Sequence, residues 1–94
     1  MAKWKYTLES GIALREAIEA ENIEQVIYHL SQCYRELLDK LSKEDKEWKQ
    51  WDIEETIEFL DGLGEEDVDA DEVDWYLSEF YDLCDDIRAF VALD

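Results

Sequence analysis

The chain contains no proline and, over 94 residues, only three glycines: Gly11, Gly62 and Gly64. Proline and glycine are the residues that most often interrupt a helix, so the backbone has few places where one must stop. No strong period-two alternation marks a central strand either. The expected fold is all-α, a small antiparallel bundle of four main helices. A chain of this length has apolar surface for one core, so residues 1–94 are read as a single domain.

The apolar positions and capping residues place the elements. Lys3-Trp4-Lys5-Tyr6-Thr7 alternates, with Trp4, Tyr6 and Leu8 on one side. Residues 1–9 are therefore read as an extended N-terminal arm or as the frayed start of the first helix. Ser10 is the N-cap candidate of a helix reaching about Ala20, with Leu14, Ala17 and Ile18 inward. Asn22 with Gln25 resembles a capping box, and Ile23, Ile27, Leu30, Tyr34, Leu37 and Leu41 then recur at helical spacing. Ser42 with Asp45 starts a short polar helix or turn through Gln50, for which Trp48 and Trp51 are the apolar handles. Asp52 with Glu55 signals a further helix carrying Ile53, Ile57 and Leu60, ended by Gly62-Leu63-Gly64. The last helix is expected from about Asp71 to Leu93, with Val73, Leu77, Phe80, Cys84, Ile87 and Val91 as one seam and Tyr76, Leu83 and Phe90 as the next. Helices 23–41 and 71–93 are expected to form the central pair.

Charge sets the functional argument. There are 27 acidic residues against 9 basic ones, a formal net charge of -18. A 47% hydrophobic share argues for a folded chain all the same. The excess is segregated: residues 1–50 carry 8 basic and 10 acidic side chains (8 - 10 = -2), whereas residues 51–94 carry Arg88 and 17 acids (1 - 17 = -16). Such a balance excludes direct binding to a nucleic-acid backbone or an anionic membrane and points to a basic partner.

The densest run is Glu65, Glu66, Asp67, Asp69, Asp71, Glu72 and Asp74, seven carboxylates within residues 65–74. Asp69, Asp71 and Glu72 suit a helix N-terminus, and a charge run also serves solubility. Neither reason covers the whole run. Carboxylates three or four residues apart form rows on a helix, such as Glu54, Glu58 and Asp61, or Glu72, Glu79 and Asp86. These rows would meet a lysine- and arginine-lined groove as a nucleic-acid strand does. A further stripe, Asp74, Trp75, Ser78, Tyr81, Asp82 and Asp85, mixes acids with Trp75 and Tyr81 as aromatic anchors.

Other chemistries have less behind them. Asp67, Asp69 and Asp71 have the acid spacing of a calcium loop, but Glu72 stands where the turn glycine belongs and Ser78 where the bidentate glutamate does. His29 and Cys33 are one helical turn apart without a positioned acid, and Cys33 and Cys84 belong to no Cys-x-x-Cys pair. Glu36 and Asp39 with Arg35 and Lys40 read as surface ion pairs of little weight. No enzyme, cofactor or metal site is expected. The absence of a signal-peptide pattern or an 18-residue apolar run makes an intracellular, cytoplasmic protein the expectation.

In size, helix content and the acidic composition of residues 51–94, the chain resembles the small acidic inhibitors that bacteriophages and mobile elements direct at host nucleic-acid enzymes, including anti-CRISPR proteins and DNA mimics. The opening Met1-Ala2-Lys3-Trp4-Lys5-Tyr6-Thr7-Leu8, with Ala13-Leu14-Arg15-Glu16-Ala17-Ile18, also resembles short phage-encoded proteins of Gram-positive hosts. The resemblance implies an inhibitor occupying the nucleic-acid channel of a basic host protein such as a CRISPR effector. A second reading is a structural or assembly adaptor in which the apolar face of the last helix packs on a partner helix, as a homodimer or a hetero-complex.

Overall fold

Residues 4–63 and 68–91 are described by a computed structural model. In chain order they form β1 (Tyr6–Leu8), α1 (Gly11–Glu19), α2 (Ile23–Lys40), α3 (Lys43–Leu63), α4 (Ala70–Ile87) and β2 (Ala89–Val91). The fold is all-α in class: a bundle of four helices, with one pair of three-residue strands at its edge.

α2 is the hub. It begins where expected, with the Asn22 side chain accepting the Gln25 N–H at 3.3 Å, and buries Val26, Ile27, Leu30, Cys33, Tyr34 and Leu37. Its most extensive contacts are with α3 and α1, and those with α4 are fewer, which replaces the expected 23–41 and 71–93 central pair. The core is nonetheless continuous from Leu8 and Leu14 through Leu30 and Leu37 to Ile53, Leu60 and Phe80. Ser31 is the buried polar member, its hydroxyl donating to Asp61 at 2.9 Å.

α1 ends in a left-handed turn at Glu21 (φ 55°). The Glu21 N–H reaches the Ile18 carbonyl and the Asn22 N–H reaches Ala17, a Schellman closure made without glycine. The chain is thereby reversed within three residues, delivering Asn22 to cap α2.

Two boundaries differ from expectation. The segment 43–50, expected as a short polar helix or turn, is helical but not separate: it is the first part of a single helix, α3, which runs unbroken from Ser42, whose Oγ accepts the Asp45 N–H. Lys46 and Lys49 sit half-buried on its inner side, so their aliphatic stems extend the apolar stripe of Ile53, Ile57 and Leu60 toward the N-terminus. The Asp52-Glu55 signal lies mid-helix, where the Asp52 carbonyl accepts the Thr56 hydroxyl at 2.8 Å. Trp48 and Trp51 are no core handles: both are exposed, at 65% and 68%.

α4 stops at Ile87 rather than near Leu93. Arg88 adopts the left-handed conformation (φ 60°), and its N–H closes on the carbonyls of Asp85 and Cys84. The carbonyl of Arg88 then accepts from Lys5 N at 2.7 Å, and residues 89–91 pair in parallel with 6–8, Tyr6 opposite Ala89. The arm is thus an extended strand. Tyr6 and Leu8 point inward as their alternation implied, while Trp4 lies on the exposed side against Phe90, ring centroids 5.6 Å apart.

Gly62 is helical, the penultimate residue of α3, and lacks the left-handed conformation of a terminating glycine. Nothing lies within 4 Å of where a Cβ would stand. Gly62→Ala is therefore expected to stabilise the fold by about 0.5–1 kcal/mol, through the unfolded-state entropy that glycine carries. The check is the urea midpoint; a lower midpoint would mean the position requires glycine.

Candidate partner-binding surface

The acidic residues singled out in the sequence are placed mostly along α4. Asp69 is its N-cap, accepting the Glu72 N–H at 3.0 Å, and Asp71 and Glu72 occupy the first turn. Asp74, Glu79, Asp82 and Asp86 are exposed along its length. Glu65, Glu66 and Asp67 lie outside the described residues. The calcium-loop spacing therefore cannot be traced as a unit, and Asp69 is committed to capping; among the described residues no group of three or more metal-ligating side chains is assembled.

The helix divides the mixed stripe into two faces. Trp75 and Asp82 line a groove between α4 and α3, joined there by Glu79 and Asp86 of the Glu72 row, whereas Asp74, Ser78, Tyr81 and Asp85 do not. Trp75 and Tyr81 are consequently not one anchor. Trp75 is 60% exposed and sits edge-on to Tyr76, while Tyr81, 37% exposed, lies beside Phe80. Burial, with Cys33 and Cys84 nearby, pushes the Tyr81 phenol up.

The α3–α4 groove, about 720 Å³ in volume, exists because α3 and α4 both pack on α2 more than on each other. Tyr34, Ile53, Leu60 and Leu83 supply apolar surface within it. Phe59 and Trp75 meet the ring of Tyr76 from α3 and α4, with centroid separations of 5.6 and 5.3 Å. The carboxylates are Asp52 and Glu55 on α3, with Glu79, Asp82 and Asp86 on α4. Lys49 is the cation in this lining, 4.0 Å from Asp86 and 4.3 Å from the Trp48 ring centroid.

Phe59 was not singled out in the sequence. The available signal was a row at three- and four-residue steps, Trp48, Trp51, Glu55 and Phe59, opposite the Ile53, Ile57 and Leu60 stripe. Such a row on a helix with a complete inner face marks aromatics left for the surface.

Both predicted rows are partly used inside the molecule, Asp86 of the α4 row lying 4.0 Å from Lys49. Asp61 holds Arg35 and Ser31, and Glu54 accepts from Gln50 at 3.0 Å. By contrast, Glu55, Glu58, Asp71, Glu72, Asp74, Glu79, Asp82 and Asp85 form no ion pair or side-chain hydrogen bond among the described residues. Their charges face solvent.

No protein-family model, curated protein or solved structure matches the chain. The remaining chemistry is therefore judged on geometry. Cys33 and Cys84 are buried free thiols, each pushed up to about 12, chiefly by burial, and so lack thiolate character. His29 packs against Tyr28, ring centroids 5.1 Å apart. Among the described residues no helix is long and apolar enough to cross a membrane.

Glu36 corrects the sequence reading. It is no loose surface pair: it accepts the Glu9 and Ser10 N–H groups at 3.0 and 2.9 Å and the Lys40 ammonium at 2.9 Å. Asp45 performs a parallel task for β1, accepting the Tyr6 hydroxyl at 2.5 Å and Lys5 at 3.3 Å. The Tyr6 hydrogen bond outweighs partial burial and, with Lys5, holds the Asp45 carboxyl below its ordinary value. Both acids are structural, which separates them from the carboxylates of α3 and α4 that form no ion pair among the described residues.

Proposed function

We propose that the chain is a non-catalytic inhibitor of phage or mobile-element type, which occupies a basic nucleic-acid-binding site of a host protein, such as a CRISPR effector, through the acidic surface of α3 and α4. The observation that carries this reading is the set of exposed carboxylates without an ion-pair partner among the described residues. They repel one another across a Debye length of about 8 Å and form no ion pair among the described residues, so a cationic surface outside the chain would be their favourable partner. Complementary charge would steer association and make it salt-sensitive.

The adaptor alternative draws on the apolar face of α4. Val73, Leu77, Phe80, Cys84 and Ile87 are buried within the molecule, however, which leaves a partner helix only the exposed aromatics. The acidic surface is the better supported basis.

The test reverses charge without disturbing the cap. Asp71, Asp74 and Asp85 are exposed, lie outside the groove and make no ion pair among the described residues, whereas Asp69 must be kept because losing an N-cap costs about 1 kcal/mol. The triple variant Asp71→Lys, Asp74→Lys and Asp85→Lys is expected to retain its helix content and to lose binding to a nucleic-acid-binding host protein on the order of 100-fold. Parent binding should fall with added salt and be competed by DNA or RNA. Equal capture of that protein by parent and variant, uncompeted by nucleic acid, would dismiss the proposal.

A further inference from the structure

Resting on the reading that the partner is basic, we infer that the α3–α4 groove is the docking site for an amphipathic, arginine-bearing helical segment of that partner. The groove is walled by side chains of two helices whose backbone groups are already bonded along their own axes. It therefore offers no strand edge, and an extended peptide would find no main-chain partners there. From Lys49 to Leu60 its α3 wall runs about 17 Å at 1.5 Å per residue, the length of three helical turns.

The chemistry within it is twofold. Tyr34, Ile53 and Leu83 offer apolar surface to such a segment, while Glu55, Glu79 and Asp82 present carboxylates that form no ion pair among the described residues. The Phe59, Tyr76 and Trp75 rings supply faces on which a guanidinium can lie while it pairs with a neighbouring carboxylate. A second copy of the chain is a poor occupant. It would bring a net charge of -18 against a rim of the same sign.

The test uses three synthetic 15-residue peptides titrated calorimetrically into the full chain at 0.15 M salt. One carries leucine at i, i+3, i+4 and i+7 with arginine elsewhere; the second has the same composition scrambled out of helical register; the third replaces arginine by lysine. The amphipathic arginine peptide should bind about tenfold tighter than the scrambled one and more tightly than the lysine one. Phe59→Ala with Trp75→Ala, both at exposed positions, should abolish that preference with helix content unchanged by circular dichroism. Glu55→Gln with Asp82→Asn should weaken binding of every peptide but keep the preference. The inference falls if amphipathic and scrambled peptides bind equally, or if the preference survives loss of both rings. It also falls if sedimentation shows a dimer that the ring variant dissolves, since a second copy would then fill the groove. The Asp71, Asp74 and Asp85 reversal separates this inference from the reading beneath it. A host partner released by that variant but not by the ring variant upholds the acidic surface and overturns the groove; peptide preference with no nucleic-acid-competed partner does the reverse.

Discussion

Phe80→Ala is expected to destabilise the fold by about 3–5 kcal/mol, a large share of the roughly 5–15 kcal/mol that holds a typical domain together. Phe80 is fully buried on α4, and its ring meets Tyr34 of α2 edge-on at 4.9 Å. α4 makes fewer contacts with α2 than α1 or α3 does, and Phe80 is the largest of the side chains it buries there, beside Val73, Leu77, Cys84 and Ile87. Removing it leaves a cavity that neighbouring helices cannot close without abandoning their own packing. Urea unfolding followed by circular dichroism reads the effect directly. A loss below about 1 kcal/mol would mean that α4 is held by other contacts.

The second large effect belongs to Glu36. Its carboxylate joins the β1–α1 corner to α2: one oxygen receives the Ser10 N–H, the other receives the Glu9 N–H and Lys40, and Lys40 in turn reaches the Thr7 carbonyl. Glu36→Ala leaves two backbone donors and an ammonium without this acceptor, and the expected cost is about 2–3 kcal/mol. The same geometry sets a pH dependence. Partial burial would raise the pKa, but the Ser10 N–H, Lys40 and the Glu9 N–H outweigh it and hold the group at about 2 against an ordinary 4.5. Since the folded value is depressed, the contribution is complete above about 4.5 and is lost as the pH falls toward about 2. Acid titration of the fold should therefore be shallower in that window for the alanine variant than for the parent. Parallel curves would show that Glu36 does not bind its proton more weakly in the folded state.

The contrast between Glu36 and the α4 acids shows what was legible in the sequence. Helical spacing located the inner faces of α1, α2 and α4 because buried leucine, isoleucine and valine repeat there, and Asn22 and Ser42 marked starts that the backbone uses. Spacing misjudged α3, where Lys46 and Lys49 look polar but are half-buried in line with Ile53, Ile57 and Leu60. It also overran α4, because Phe90 and Val91 continue the period while Arg88 turns the backbone away with neither glycine nor proline to announce it. The acids of the candidate surface were visible as a composition. Their division into a groove-lining set and an outer set was not, since that depends on where α3 settles beside α4. Glu36 was hidden for a related reason: its partners are backbone N–H groups 26 and 27 residues earlier, and no pattern of side chains reports them.

The strand pair also dictates an order of events during synthesis. Tyr6 faces Ala89, so Leu8 and its neighbours emerge from the ribosome long before the segment that will flank them. At roughly 5–20 residues per second, the 82 intervening positions represent about 4–16 s in which α1 and α2 can associate but the β1 edge stays open. β2, which follows all four helices in the chain, is thus the segment that closes β1, and a nascent chain halted before residue 89 would hold β1 without this mate.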